Sequence, residues 1–126
     1  EAVPGVCSFS PRLDYLVEVL EDIADEYKSL AKMLINVKSK KEIVSILKKT
    51  NEVFQLGYEF FYKPEKSKAV RAMQLNNEIK AEMENVFGKL KNIHDLKAVC
   101  TMSYILKMVY HYPTMRLDTL KELGGV

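Results

Sequence analysis

Two cysteines and two histidines are the side chains in this 126-residue sequence best suited to nucleophilic or metal chemistry, and their spacing serves neither. A thiol nucleophile needs an imidazole within hydrogen-bond reach, and neighbours on one helix face are three or four residues apart. Cys100 is six positions from His94 and eleven from His111, so neither histidine falls beside it on a helix. The histidines are too far apart to pair on one turn, and the chain holds no Cys-x-x-Cys, no Glu-x-x-His pair and no glycine-rich phosphate loop. Those are the spacings that zinc, di-iron, haem and nucleotide sites require. The expectation is a non-enzymatic protein with no catalytic residue, no metal site and no cofactor.

A disulfide is the remaining chemistry open to Cys7 and Cys100, because an even cysteine count in an oxidising compartment pairs naturally. An extended arm lying between the first and fourth helices brings Cys7 to Cys100, and closing so long a loop adds about 4 kcal/mol in the chain-entropy account. The start, Glu-Ala-Val-Pro-Gly-Val-Cys, has neither an initiator Met nor an apolar signal core, which suits a mature secreted product. Secretion is therefore expected. No Asn-x-Ser/Thr sequon occurs, so glycosylation adds nothing to that expectation.

The elements that position these residues are helical throughout. Residues 1–9 read as an extended arm holding Pro4 and Gly5. Ser10-Pro11 opens a helix over about 11–37, with Leu13, Leu16, Leu20, Ile23, Tyr27, Leu30, Leu34 and Val37 along its seam. Ser39 and Glu42 have capping-box spacing and start a second helix over 40–62. Its seam runs through Ile43, Leu47, Thr50, Phe54, Gly57 and Phe61, broadened by Ile46, Val53, Tyr58 and Phe60. Lys63-Pro64 stops it. A third helix over about 65–91 carries Ala69, Ala72, Met73, Ile79, Met83, Val86, Phe87 and Leu90, with Asn76 on its inward stripe as a register-fixing polar residue. Asn92 caps a fourth over 93–112, with Asp95 in its first turn. Apolar residues fall on nearly every face of this helix, so the other helices are expected to cover it. Pro113 ends it, and a short fifth helix follows over 114–123.

The expected fold is all-α: a single domain over 1–126, an up-down-up-down four-helix bundle with an N-terminal arm and a short C-terminal fifth helix. Asp95, Lys97 and Lys107 break the fourth helix too often for a membrane span. Net charge is +2, but it is segregated. Glu1, Asp14, Glu18, Glu21, Asp22, Asp25 and Glu26 face only Arg12 in the first 26 residues, whereas residues 27–71 carry eleven Lys or Arg against four Glu. The basic stretch, from Lys38 through Lys49 and Lys68 to Arg71, falls at both ends of such a bundle. That reads as solvated helix faces and argues against nucleic-acid binding.

Two functions fit. The first is a small secreted protein that binds a protein partner through a helix face, with a homodimer through the long first seam as one form of it. The second is a carrier of a small apolar ligand in the bundle core, using Phe54, Tyr58, Phe61, Met102, Leu106 and Val109.

Overall fold

The computed structural model of the chain describes residues 11–110. They form four helices: α1 (Pro11–Leu34), α2 (Lys40–Tyr62), α3 (Lys66–Phe87) and α4 (Ile93–Val109), with no strand among the described residues. The expected arm with Cys7, the short helix over 114–123, and His111 and Tyr112 lie outside the described residues.

Helix α4 is the common partner. It lies against α1 and α2 and meets α3 only lightly, while α2 packs chiefly on α3. Ala98, Val99, Met102 and Ile105 have no exposed area, and a side chain the size of Ile105 contributes about 1.5–3 kcal/mol by leaving water. Around them close Leu16, Ile23 and Leu30 of α1, Ile43, Ile46 and Val53 of α2, and Leu75 and Ile79 of α3. The alternating three- and four-residue spacing therefore locates the inward faces, with one rotation. The buried stripe of α2 is Ile43, Ile46, Thr50, Val53, Gly57 and Phe60, so Leu47, Phe54 and Phe61 lie on its edge and Tyr58 outside it. On α3 Leu75 is buried, while Met73 and Phe87 are exposed.

Charge fixes how α2 sits on α3. Ser45 Oγ donates to Glu82 Oε1 at 2.7 Å, and Lys49 Nζ pairs with the other Glu82 oxygen and with Glu78 at 3.5 Å. Arg71 bridges Glu52 at 3.3 Å and Glu78 at 3.9 Å, and Lys68 reaches Glu59 at 3.9 Å. Partners later in α2 sit earlier in α3, so the two helices run antiparallel. Each such surface pair contributes little by itself, but together they favour one register.

The helix ends depart from expectation where backbone N–H groups find better acceptors. α1 stops at Leu34 instead of 37, because the N–H groups of Lys38 and Ser39 donate to the Asp95 carboxylate, at 2.7 and 3.0 Å. They cannot also serve a helical ladder. Ser39 is the N-cap of α2, as its position implies, yet the capping box does not form: its side chain makes no cap hydrogen bond and its hydroxyl serves Asp95. α3 ends at Phe87 instead of 91, with the N–H groups of Lys89 and Leu90 both turned back to the Val86 carbonyl. Leu90 then points into the core from the connection. Asn92 caps α4 as expected, its Oδ1 accepting from the N–H groups of His94 and Asp95.

Asp95 is thus a buried carboxylate, 1% exposed, tying the α1–α2 connection to the first turn of α4. Burial pushes its carboxyl up, but the backbone of Lys38, the hydroxyl and backbone of Ser39, and the nearby His94 together hold it below the usual 3.8. Asp95→Asn places an NH₂ against one of two N–H donors and is expected to cost about 2 kcal/mol in denaturant unfolding. Because the folded carboxyl titrates below its unfolded value, its contribution is complete above about pH 4 and lost as pH falls through the folded value. The variant should therefore show a shallower loss of stability below about pH 4 than the parent.

Candidate functional site: two clefts beside helix α4

Covering α4 from the α1 and α2 sides, with only light contact from α3, leaves one strip of it in water. Ile93, Lys97, Cys100, Tyr104 and Lys107 are all exposed, and their spacing of four, three, four and three is one face of a helix. A cleft flanks this strip on each side, and Lys107 lines both.

The first cleft, between α1 and α4, has a volume of about 220 Å³ and is open to solvent. Val19 and Met108 form its floor, Tyr15 and Tyr104 its aromatic walls, and Glu18, Asp22 and Lys107 its charged rim. The α1 helix presents these groups because Val19 is on its buried stripe, while Tyr15, Glu18 and Asp22 follow one another at spacings of three and four beside it. Tyr15 is 44% exposed and Tyr104 51%. Asp14, Glu18, Asp22 and Asp25 form one exposed acidic stripe along the α4-flanking edge of α1. None of the four makes an ion pair among the described residues, in contrast to the acids of α2 and α3, which are largely consumed by Lys49, Lys68 and Arg71.

The second cleft, between α3 and α4, is smaller, about 140 Å³. Met83 and Leu106 give it an apolar floor, and Asn76, Ser103 and Tyr110 give it polar tips. Asn76 is buried on the inward stripe of α3, as its register implies, and it hydrogen-bonds Tyr110. Burial raises the Tyr110 phenol above its ordinary value, and the Asn76 contact offsets part of that rise.

Of the six residues expected to hold an apolar ligand, three belong to the core, Phe54 and Phe61 pack against it, and Tyr58 is exposed. Met102, Leu106 and Val109 are buried in the core on α4. Phe54 is half-buried with its ring edge-on to Tyr27 at 5.7 Å, beside a hydrogen bond from the Tyr27 hydroxyl to Asn51. Burial pushes the Tyr27 phenol up to about 12. Tyr58 and Phe61 join Tyr62 in an aromatic cluster at the end of α2, with centroids 5.0 and 5.3 Å from Tyr62. Of the six, Leu106 lines a cleft. Cys100 is exposed and forms no disulfide among the described residues, and Cys7, the other half of the expected bridge, lies outside them.

Among the described residues no group of three or more His, Cys, Asp or Glu side chains is arranged to hold a metal ion, and no helix is long and apolar enough to cross a membrane. The chain matches no protein-family model, no curated protein and no solved structure.

In the sequence the acids of α1 read as one end of a charge segregation, and Tyr104 as one of the residues on the nearly all-round apolar fourth helix. The signal for the cleft was the phase of Tyr15 and Tyr104, each next to a core position but turned off the apolar stripe. Asn76→Ala removes the hydrogen bond that holds the Tyr110 phenol down. Its ionisation, followed by ultraviolet titration of the phenolate, should move to higher pH than in the parent.

Proposed function

We propose that this chain is a small secreted helical protein, without chemistry of its own, that binds a protein partner through the exposed face of α1 and α4. In this reading the four helices alternate in direction as an up-down-up-down bundle, which the short connections between them favour. The observation that carries the proposal is the first cleft: two partly exposed aromatic rings over an apolar floor with a charged rim. Interface anchors have this composition, an aromatic centre with a polar surround.

Neither of the two clefts suits the carrier alternative. Pockets that enclose a drug-sized ligand run to about 300–1,000 Å³ and bury most of its surface. The clefts, at about 220 and 140 Å³ and open to water, are each the scale of one inserted side chain. A carrier would use the second cleft, where Leu106 and Met83 lie under polar tips.

Alanine at Tyr104 removes a wall of the cleft without touching the core, so it should leave the unfolding midpoint unchanged and weaken partner binding by roughly tenfold or more. Met73→Ala, an equally exposed truncation on α3, should leave binding unchanged. Equal losses in both variants, or none in Tyr104→Ala, would remove this face from the interface. Secretion carries its own test. Protein isolated from its native compartment should gain two hydrogens in mass on reduction of a Cys7–Cys100 bridge, and two thiols already free before reduction would contradict both the bridge and its oxidising compartment.

A further inference from the structure

The distribution of charge around the first cleft says which kind of side chain it would receive. On the α2–α3 surface, carboxylates and ammonium or guanidinium groups satisfy one another: Glu82 and Glu78 with Lys49, Glu52 with Arg71, Glu59 and Glu65 with Lys68. On α1, Asp14, Glu18, Asp22 and Asp25 recur along one edge with no such partner among the described residues. Two of them, Glu18 and Asp22, stand at the cleft beside Tyr15 and Tyr104. Lys107 offsets one charge, so the described lining residues remain net negative, and the stripe extends that sign beyond both ends of the cleft.

We propose that the α1–α4 cleft receives an arginine from a basic segment of the protein partner, an inference that rests on the docking role assigned to this face. Two independent properties of the site select that side chain. A guanidinium is planar and weakly hydrated, so it stacks on tyrosine rings while its N–H fork meets carboxylates at the rim; an ammonium does the second far better than the first. The apolar floor of Val19 and Met108 suits the methylene stem. Along the acidic stripe, the field steers a basic segment toward the cleft, and the steering weakens as salt is added.

Nuclear magnetic resonance titration of the whole isotope-labelled chain tests this with two synthetic probes. One is a short acetylated leucine-alanine helix bearing arginines along one face; the other is the same peptide with glutamates in their place. The arginine peptide should give saturable shifts centred on Tyr15, Glu18, Asp22 and Tyr104, and added salt should weaken them. The double variant Glu18→Gln/Asp22→Asn should weaken that binding by roughly tenfold or more, since it removes both rim charges from an exposed site. Glu84→Gln, an exposed carboxylate on α3, should leave it unchanged. Absence of saturable shifts with the arginine peptide, or binding unaltered by the double variant, overturns the arginine assignment. If instead the glutamate peptide occupies the cleft, docking at this face survives and only the cationic partner falls. If neither peptide shifts the cleft and Tyr104→Ala leaves partner binding intact, both inferences fall together.

Discussion

The fold hangs on a carboxylate. Asp95 sits in the first turn of α4, almost without exposure, and accepts from the backbone of Lys38 and Ser39 in the connection between α1 and α2. An ionised group in such a position is tolerable only because its oxygens are met by N–H and O–H donors and because the amino-terminal ends of two helices face it. What it provides is location. The connection is pinned where α1 ends, α2 starts directly after it, and α4 begins against both. Three of the four helices thus take their relative position from one side chain.

From that anchor, the division of the surface follows. α2 and α3 form a hairpin in which Lys49, Lys68 and Arg71 are paired with carboxylates across or beside the seam. α1 pairs mainly with α4 through apolar contacts, and its carboxylates are left to solvent. The strip of α4 not covered by α1 or α2, together with its light contact with α3, opens the two clefts. Local chemistry at the surface is therefore a product of how unevenly four helices share one core.

Much of this architecture is legible in the residues. The four helices, the bounds of α2, the N-cap position of Ser39 and the side-chain cap at Asn92 follow from apolar spacing, Pro64 and the polar residues at the helix starts. Asn76 is inward, as its register requires. What was not legible depended on partners far along the chain. Nothing local to residues 34–39 shows that their N–H groups are claimed by Asp95, so α1 reads three residues too long. The rotation of α2 that puts Phe60 in the core and Phe61 on its edge is set by which helices it touches, and a broad apolar face permits either. Asp95 itself could have been noticed, because it precedes Ala98, Val99 and Met102 on the same inward phase of α4, an odd place for an acid meant only to complement a dipole.

The pairing of the first helix with the last has a bearing on how the molecule is made. As the polypeptide leaves the ribosome, α1 emerges with its apolar stripe facing no adequate partner, and Asp95, which fixes the following connection, has yet to be synthesised. The α2–α3 hairpin meets no such delay, since its contacts are close in sequence and its ion pairs guide it. Between the emergence of α3 and that of α4, then, the growing chain consists of one settled hairpin and one helix with an uncovered greasy side, the interval in which it is most exposed to association with other nascent chains.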